Sequence, residues 1–203
     1  MKTHYKTLAT ETDFLLKDKG SKFIAYAKSC CSDAEIKDFL DNLKKIHPQA
    51  THICYAYKLG VNQEKYRAND DGEPNNSAGT PILGQLNSFE ITNAIVAVVR
   101  YYGGTKLGVG GLISAYKNAA KEALELNEII TKELTSSLEI SSNYEDFPLL
   151  MKLIKQNNIN IVNQNQGENV VLLLEIPNSI LEMMKSHFAN FKSIELINEI
   201  KTI

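Results

Sequence analysis

The strongest constraint on the fold is an apolar, β-branched segment that runs directly into a dense group of glycines. Residues 94–102 read Ala-Ile-Val-Ala-Val-Val-Arg-Tyr-Tyr, and residues 103–111 read Gly-Gly-Thr-Lys-Leu-Gly-Val-Gly-Gly. Continuous Val and Ile without alternating polar residues are typical of a strand covered on both faces. The apolar residues that follow recur at helical spacing (Leu112, Ala115, Tyr116, Ala119, Ala123 and Leu124). The sequence therefore predicts a central strand, a tight turn and a helix.

The glycine composition points to the same turn. Eight of the eleven glycines lie between Gly72 and Gly111, and three are spread over the other 163 residues. Glycine at this density indicates backbone with positive φ, or backbone that another group approaches closely. The N–H groups that open a helix lack intrahelical partners and lie at the positive end of its dipole, so they attract anions. With Arg100 and Lys106 as side-chain donors, the turn is predicted to bind a phosphate-type anion.

One alternative to this interpretation remains open at the sequence level. The glycines could serve only the turn and close packing of the helix on the sheet. The turn also matches neither established phosphate-binding pattern: Lys106 precedes Gly108, so G-x-x-x-x-G-K-[ST] is missing, and G-x-G-x-x-G is missing as well.

Composition excludes several classes of protein. The longest apolar run, residues 94–99, is far shorter than the roughly 18 residues of a membrane-spanning helix. Residues 1–6 do not resemble a signal peptide, and three cysteines, two of them adjacent, give no disulfide framework. We therefore expect a soluble, cytoplasmic protein with no membrane association.

Charge is nearly balanced along the chain. Residues 1–130 carry 16 Lys and Arg against 15 Asp and Glu, and residues 131–203 carry 6 against 9, which gives the net charge of −2. Neither part is basic enough to indicate nucleic-acid binding from its overall charge. Any contact with RNA would depend on a local patch.

The order of predicted elements divides the chain near residue 130. Residues 131–203 read as β-α-β-β-α-β, with strands at 134–141, 159–165, 169–176 and 194–200 and with helices opened by capping boxes at Ser142 and Ser179. This order is that of a ferredoxin-like domain. Residues 1–130 alternate strands (23–29, 51–59 and 94–102) with helices, one opened by a capping box at Ser32 and one with Thr80 as N-cap before Pro81. The chain is predicted to be α+β with two domains, 1–130 and 131–203.

An acidic loop precedes the second helix. Asp70, Asp71 and Glu73 place three carboxylates in five residues, which suits a Mg²⁺ site or acid–base chemistry. The alternative is a solvated turn in which aspartate caps its own backbone. His52 and Cys54 share one face of a strand and could form a metal or nucleophile site, given a third group from elsewhere.

Four blocks in order resemble a known family. Residues 50–57 (ATHICYAY), 70–74 (DDGEP), 77–83 (SAGTPIL) and 98–112 (VVRYYGGTKLGVGGL) are similar to the IMPACT family, in particular its bacterial YigZ-like branch. The resemblance implies a left-handed βαβ domain of the type found in ribosomal proteins and in the fourth domain of elongation factor G. It also implies a ferredoxin-like second domain similar to the fifth domain of that factor.

The same resemblance bears on function. Eukaryotic relatives restrain the amino-acid-starvation kinase by competing for its activator, and they carry an additional N-terminal interaction domain for that purpose. The present sequence enters the shared region almost at once, so this kinase-pathway role is not expected of it.

Three hypotheses follow. The first is a non-enzymatic, translation-associated protein that contacts RNA phosphates or a ribosome-associated partner, with no cofactor, metal or catalytic residue. The second is a Mg²⁺-dependent, phosphate-handling enzyme. Residues 108–115 loosely resemble the glycine loop of small-molecule kinases, the three acids would hold the metal, and Lys106 would stabilise the transferred phosphoryl group. The third is a metal or thiol site at His52 and Cys54.

The candidate binding residues come from the blocks named above. We expect the acidic loop and the glycine turn to share one pocket. The candidates are Arg100, Lys106, Gly103, Gly104, Gly108, Gly110, Gly111, Asp70, Asp71, Glu73, Gly79, Thr80 and His52.

Overall fold

The computed structural model describes residues 3–61 and 65–201. The strands are β1 (His4–Leu8), β2 (Thr12–Asp18), β3 (Ser21–Ser29), β4 (His52–Leu59), β5 (Lys65–Asn69), β6 (Ala94–Tyr101), β7 (Ile129–Glu133), β8 (Thr135–Ser142), β9 (Asn160–Gln166), β10 (Val170–Pro177) and β11 (Glu195–Lys201). The helices are α1 (Asp33–Ile46), α2 (Gly79–Ser88), α3 (Gly108–Glu125), α4 (Phe147–Gln156) and α5 (Leu181–Phe188). No helix among the described residues is long and apolar enough to cross a membrane. The chain forms two compact units, one of residues 5–132 and one of residues 133–201 with 3–4.

A five-stranded antiparallel sheet forms the centre of the first unit, in the order β2-β3-β6-β4-β5. The predicted central strand, β6, lies in the middle and pairs with β3 and β4. Its side chains alternate between two cores because successive residues of a strand point to opposite faces. Val96 and Val98 belong to the core beneath α2 and α3, and Ile95 and Ala97 to the core beneath α1.

Helix α1 connects β3 to β4 across the intervening strand β6. Since β6 is antiparallel to both, β3 and β4 are parallel to each other. The predicted capping box is confirmed: Ser32 Oγ accepts a hydrogen bond from the Glu35 N–H at 3.2 Å. Ile36, Phe39 and Leu43 form the buried face of the helix.

The second unit contains an antiparallel sheet of order β11-β8-β10-β9. Helices α4 and α5 lie between its strands in the sequence order β-α-β-β-α-β, so the predicted ferredoxin-like topology is confirmed. Its core is closed by apolar residues from the sheet and from both helices, among them Leu138, Ile140, Leu172, Leu174, Leu150, Ile154 and Met184. The α+β fold class predicted from the sequence is therefore confirmed.

Three predicted helix starts are wrong. Ser142 pairs with Val170 as the last residue of β8, and α4 begins only at Phe147, so the Ser142 hydroxyl cannot cap it. The Ser179 hydroxyl instead donates to Glu133 Oε1 at 2.5 Å, and α5 begins at Leu181 without a side-chain cap.

Thr80 is not the N-cap of its helix either. Helix α2 begins one residue earlier, at Gly79, with Ala78 in the N-cap position. The Thr80 hydroxyl donates to Asn76 Oδ1 at 2.9 Å, so it stabilises the preceding loop.

Candidate functional site

The acidic loop is organised around the carboxylate of Asp70. One oxygen, Oδ1, accepts hydrogen bonds from the N–H groups of Ala78 (2.9 Å) and Gly79 (2.8 Å), and Oδ2 accepts one from Asn76 (2.8 Å). Asp70 thus caps α2 from outside the helix. Gly79 is required here because a Cβ would lie 2.4 Å from the Asn69 nitrogen.

Asp71 fastens the loop to the start of β4. Its Oδ2 accepts the Ile53 N–H at 2.6 Å, and its carbonyl oxygen lies 2.7 Å from His52 Nδ1. Because a carbonyl oxygen only accepts, Nδ1 must carry the proton, which leaves Nε2 of the neutral ring as an acceptor.

Glu73 and Arg100 form a buried ion pair beneath the loop. The Arg100 Nη1 group donates to Glu73 Oε1 at 2.5 Å, and the two side chains are 7% and 3% exposed. The Tyr116 hydroxyl donates to the same oxygen at 2.7 Å. Arg100 is therefore a neutralised and fixed part of the site, in contrast to the independent phosphate donor that the sequence suggested.

The remainder of the Arg100 side chain lies between aromatic rings. Its guanidinium carbon lies 5.4 Å from the ring centroid of Phe23 and 5.6 Å from that of Tyr102. The Nε atom is buried and has no hydrogen-bond partner among the described residues. Leaving a buried donor unpaired costs about 1–3 kcal/mol, a cost that an acceptor reaching this atom would offset.

Cys54 lies below this network, and burial determines its chemistry. Its Sγ donates to the Asp70 carbonyl oxygen at 3.0 Å and lies 3.4 Å from the Tyr116 hydroxyl. Burial raises the pKa of Cys54 to about 12, so the thiol is protonated at neutral pH and is a poor nucleophile. Burial also raises the pKa of Tyr116. Among the described residues, no three His, Cys, Asp or Glu side chains are grouped to hold a metal ion.

Local structure explains why three positions of the turn are occupied by glycine. A Cβ on Gly103 would lie 1.9 Å from the carbonyl carbon of Gly20, so this glycine lets the turn pack against the β2–β3 connection. Gly104 and Gly108 have φ values of +87° and +75°, which L side chains rarely adopt.

The two glycines at the start of α3 differ from each other. A Cβ on Gly111 would lie 2.9 Å from Leu107 Cβ, which is a close packing contact. A Cβ on Gly110 would meet no atom within 4 Å. Neither packing nor backbone conformation within the described chain therefore requires Gly110 to be glycine.

The N-terminus of α3 opens onto a cavity, which we call the α3 cavity. No side chain of residues 3–61 or 65–201 caps this terminus, and its first turn holds no acidic residue. Lys106 is exposed and makes no ion pair within the described part of the chain. The cavity has a volume of about 430 Å³ and is lined by Thr51, His52, Glu73, Pro74, Arg100, Tyr102, Lys106, Leu107, Gly108, Val109 and Leu112.

The structure brings together part of the predicted site. Among the predicted residues, His52, Glu73, Arg100, Lys106 and Gly108 line the α3 cavity, so Glu73 is the one carboxylate of the acidic loop that borders it together with the glycine turn. Asp71 instead lines a second cavity of about 410 Å³, which His52 also borders. Asp70, Gly79 and Thr80 hold the loop. Gly103, Gly104, Gly110 and Gly111 shape the turn and the start of α3.

Tyr102 is a site residue that the sequence pattern did not indicate. The residue lines the α3 cavity and is 46% exposed. Its hydroxyl donates to the Gly104 carbonyl oxygen at 2.7 Å, and its N–H donates to Thr51 Oγ1 at 3.0 Å. The available signal was an aromatic residue directly before the glycines. Helical spacing predicts Tyr116 to be a core residue of the helix, and no local pattern indicates which residue its hydroxyl group contacts.

Comparison with known proteins identifies similar chains over most of the length. A family model described as the Impact N-terminal domain matches residues 19–124. IMPACT family member YvyE of Bacillus subtilis is 33% identical over 150 residues, which are 74% of this chain and 69% of that protein. IMPACT family member YigZ of Escherichia coli is 29% identical over 183 residues, 88% of this chain and 90% of that protein.

A solved structure shares the fold along nearly the whole chain. It is described as the crystal structure of a hypothetical protein and is 27% identical in sequence. The superposition covers 97% of this chain and 98% of that one, with a TM-score of 0.76.

Proposed function

The chain belongs to the IMPACT family, and from this premise we propose that it is a non-enzymatic regulator of translation that binds RNA phosphates at the start of α3. The resemblance to ribosomal-protein and elongation-factor domains supports a role in translation. Family membership therefore favours a role in translation, and the α3 cavity is the proposed site of contact with RNA.

The uncapped N-terminus of α3, with Lys106 beside it, is the observation that carries this proposal. Unpaired N–H groups and the helix dipole attract an anion, and no acidic side chain in the first turn competes for them. Lys106 adds an exposed positive charge to the same cavity. With a net charge of −2, the protein is expected to make few phosphate contacts, so binding should be weak and its salt dependence should be shallow, in proportion to the number of contacts.

The geometry favours this function over a Mg²⁺-dependent enzyme. All three acids proposed as metal ligands have structural partners: Asp70 binds three backbone N–H groups, Asp71 binds the Ile53 N–H, and Glu73 pairs with Arg100. Moving any of them to a metal would break the loop that holds α2.

Replacement of Lys106 tests the proposed phosphate contact. Lys106→Ala should weaken binding to bacterial ribosomes or to a structured RNA, and it should reduce the slope of log K against log salt by about 1. Lys117→Ala is the matched control because it removes the same charge from an exposed position farther along α3. Arg100→Ala is unsuitable, since it would leave the buried Glu73 carboxylate unpaired.

A filter-binding series over several salt concentrations would measure both quantities. The proposal requires that the parent protein bind in a salt-dependent manner and that Lys117→Ala behave like the parent. Absence of salt-sensitive binding, or equal losses in the two lysine variants, would contradict it.

A further inference from the structure

The walls of the α3 cavity are partly apolar and include one fixed aromatic ring. Pro74, Leu107, Val109 and Leu112 line it together with Tyr102. Its volume of about 430 Å³ lies within the range of roughly 300–1,000 Å³ that is typical of small-ligand pockets. A phosphate alone would not need such walls.

The ring of Tyr102 is already oriented for stacking. Two hydrogen bonds, from its hydroxyl to Gly104 and from its N–H to Thr51, hold the residue in place. The Arg100 guanidinium packs over the ring at 5.6 Å from its centroid, yet Tyr102 remains 46% exposed. An exposed aromatic ring backed by arginine is a typical stacking platform for a nucleobase.

Polar groups that line the same cavity still have unused hydrogen-bonding capacity. Arg100 is 6% exposed, and its Nε donor has no partner among the residues that the structure describes. The two hydrogen bonds from described residues to the Glu73 side chain, those of Arg100 and Tyr116, both go to Oε1. His52 presents an acceptor at Nε2, since Nδ1 donates to Asp71. A ligand with donors and acceptors around a flat edge fits this set better than an aliphatic chain does.

From these three features we propose that the α3 cavity binds one unpaired nucleotide, with its base against Tyr102 and its phosphate at the N-terminus of α3 and Lys106. The inference rests on the proposed function and deepens it, because it specifies an unpaired base, which a double helix does not offer. The nucleotide comes either from an RNA strand or from the free pool, and the chemistry of recognition is the same for both.

Four probes distinguish the contribution of the base to binding from that of the phosphate. Calorimetry with inorganic phosphate, a nucleoside, the corresponding nucleoside 5′-monophosphate and a short single-stranded RNA should show that the two probes with both base and phosphate bind more tightly than either part alone. Tighter binding of the RNA strand identifies the strand as the source, and tighter binding of the monophosphate identifies the free nucleotide. If phosphate alone binds as well as the nucleotide, the base site is overturned.

Substitutions at Tyr102 test the stacking contact. Tyr102→Ala should reduce affinity for the nucleotide-containing probes about 5- to 100-fold, and Tyr102→Phe should retain most of it because the ring remains. Tyr144→Ala is the matched control: Tyr144 is 54% exposed in the other unit, and its hydroxyl also donates to a glycine carbonyl, that of Gly167. Thermal unfolding of each variant confirms that the fold is retained.

The two proposals fail in different ways. If Lys106→Ala weakens RNA binding but Tyr102→Ala binds like the parent, the phosphate contact stands and the nucleotide cavity is overturned. If a duplex RNA binds as tightly as the single strand, the cavity is overturned as well. If no RNA binds at all, the proposed function fails first.

Discussion

At the scale of single residues, Gly110 is the glycine of the turn that the fold itself does not require. Its missing Cβ would meet no atom, whereas a Cβ on Gly111 would press on Leu107. Because glycine inside a helix is less stable than alanine, Gly110→Ala should raise the free energy of unfolding by up to about 1 kcal/mol. If an RNA phosphate approaches the first turn of α3, the same variant should bind RNA less well.

Urea unfolding and RNA binding, measured on the same samples, would test whether the variant gains stability and loses affinity for RNA. Gly111→Ala is the comparison, since it should lower stability through its contact with Leu107. A Gly110→Ala protein that is more stable and binds RNA with unchanged affinity would place the phosphate away from this turn.

The residue types in the sequence predicted which residues lie at the site, but they did not predict how the charges of those residues pair. Arg100 and Glu73 were assigned opposite ligands, an anion and a cation, but they neutralise each other in the structure. The pair is 27 residues apart in sequence, so no local pattern could reveal it. One signal was available: Arg100 follows Val96 and Val98 at the two-residue period of the inward face, which predicts a buried side chain.

At the scale of elements, His47 joins α1 to two strands and is expected to make their packing sensitive to pH. Its Nε2 lies 2.8 Å from the hydroxyl of Tyr26 on β3, and its Nδ1 lies 2.8 Å from the hydroxyl of Tyr101 on β6. Burial lowers the pKa of His47 below the ordinary value of 6.5. Below pH 6.5 the unfolded chain therefore takes up a proton that the folded protein resists, so stability should fall as the solution is acidified.

Denaturant unfolding between pH 5 and pH 8 would measure this dependence. His47→Gln should be less stable at pH 8, since it loses the two-sided imidazole contact, and its stability should vary less between pH 7 and pH 5. His4→Gln is the control, because His4 is exposed near the start of the chain. If the pH dependence of His47→Gln equals that of the parent, other groups must cause it.

Elements with a strong local pattern were predicted, and elements formed by long-range pairing were not. Ser32 caps α1 as predicted, whereas Ser142 shows the same pattern but is committed to β8 by pairing with β10. Four strands went unpredicted: β1, β2, β5 and β7. Strand β5 pairs with β4 alone and is largely exposed, so it lacks the apolar alternation by which a strand is recognised.

At the scale of the whole molecule, the α+β class followed from the order of elements and from the family resemblance together. The β-α-β-β-α-β order was sufficient for the ferredoxin-like unit because few topologies satisfy it. The strand order of the first unit depends on β2 and β5, which the sequence did not reveal, so that sheet could be expected only by resemblance.

Division into two independently folding parts stays a prediction, and the separate cores make it testable. Leu86 belongs to the core beneath α2 and α3, Leu174 belongs to the core of the ferredoxin-like unit, and both are fully buried. Each Leu→Ala change should cost about 2–5 kcal/mol in its own unit. Calorimetry should then show two transitions, with Leu86→Ala lowering one and Leu174→Ala lowering the other.

The same pair of variants connects stability with function. Because every residue of the α3 cavity lies in the first unit, Leu174→Ala should bind RNA like the parent at temperatures where its own unit has begun to unfold. Leu86→Ala should lose RNA binding as its transition is crossed, since α2 is held by the loop that carries Glu73. A single transition that both variants lower equally would show that the chain unfolds as one cooperative body, and RNA binding would then follow the stability of either core.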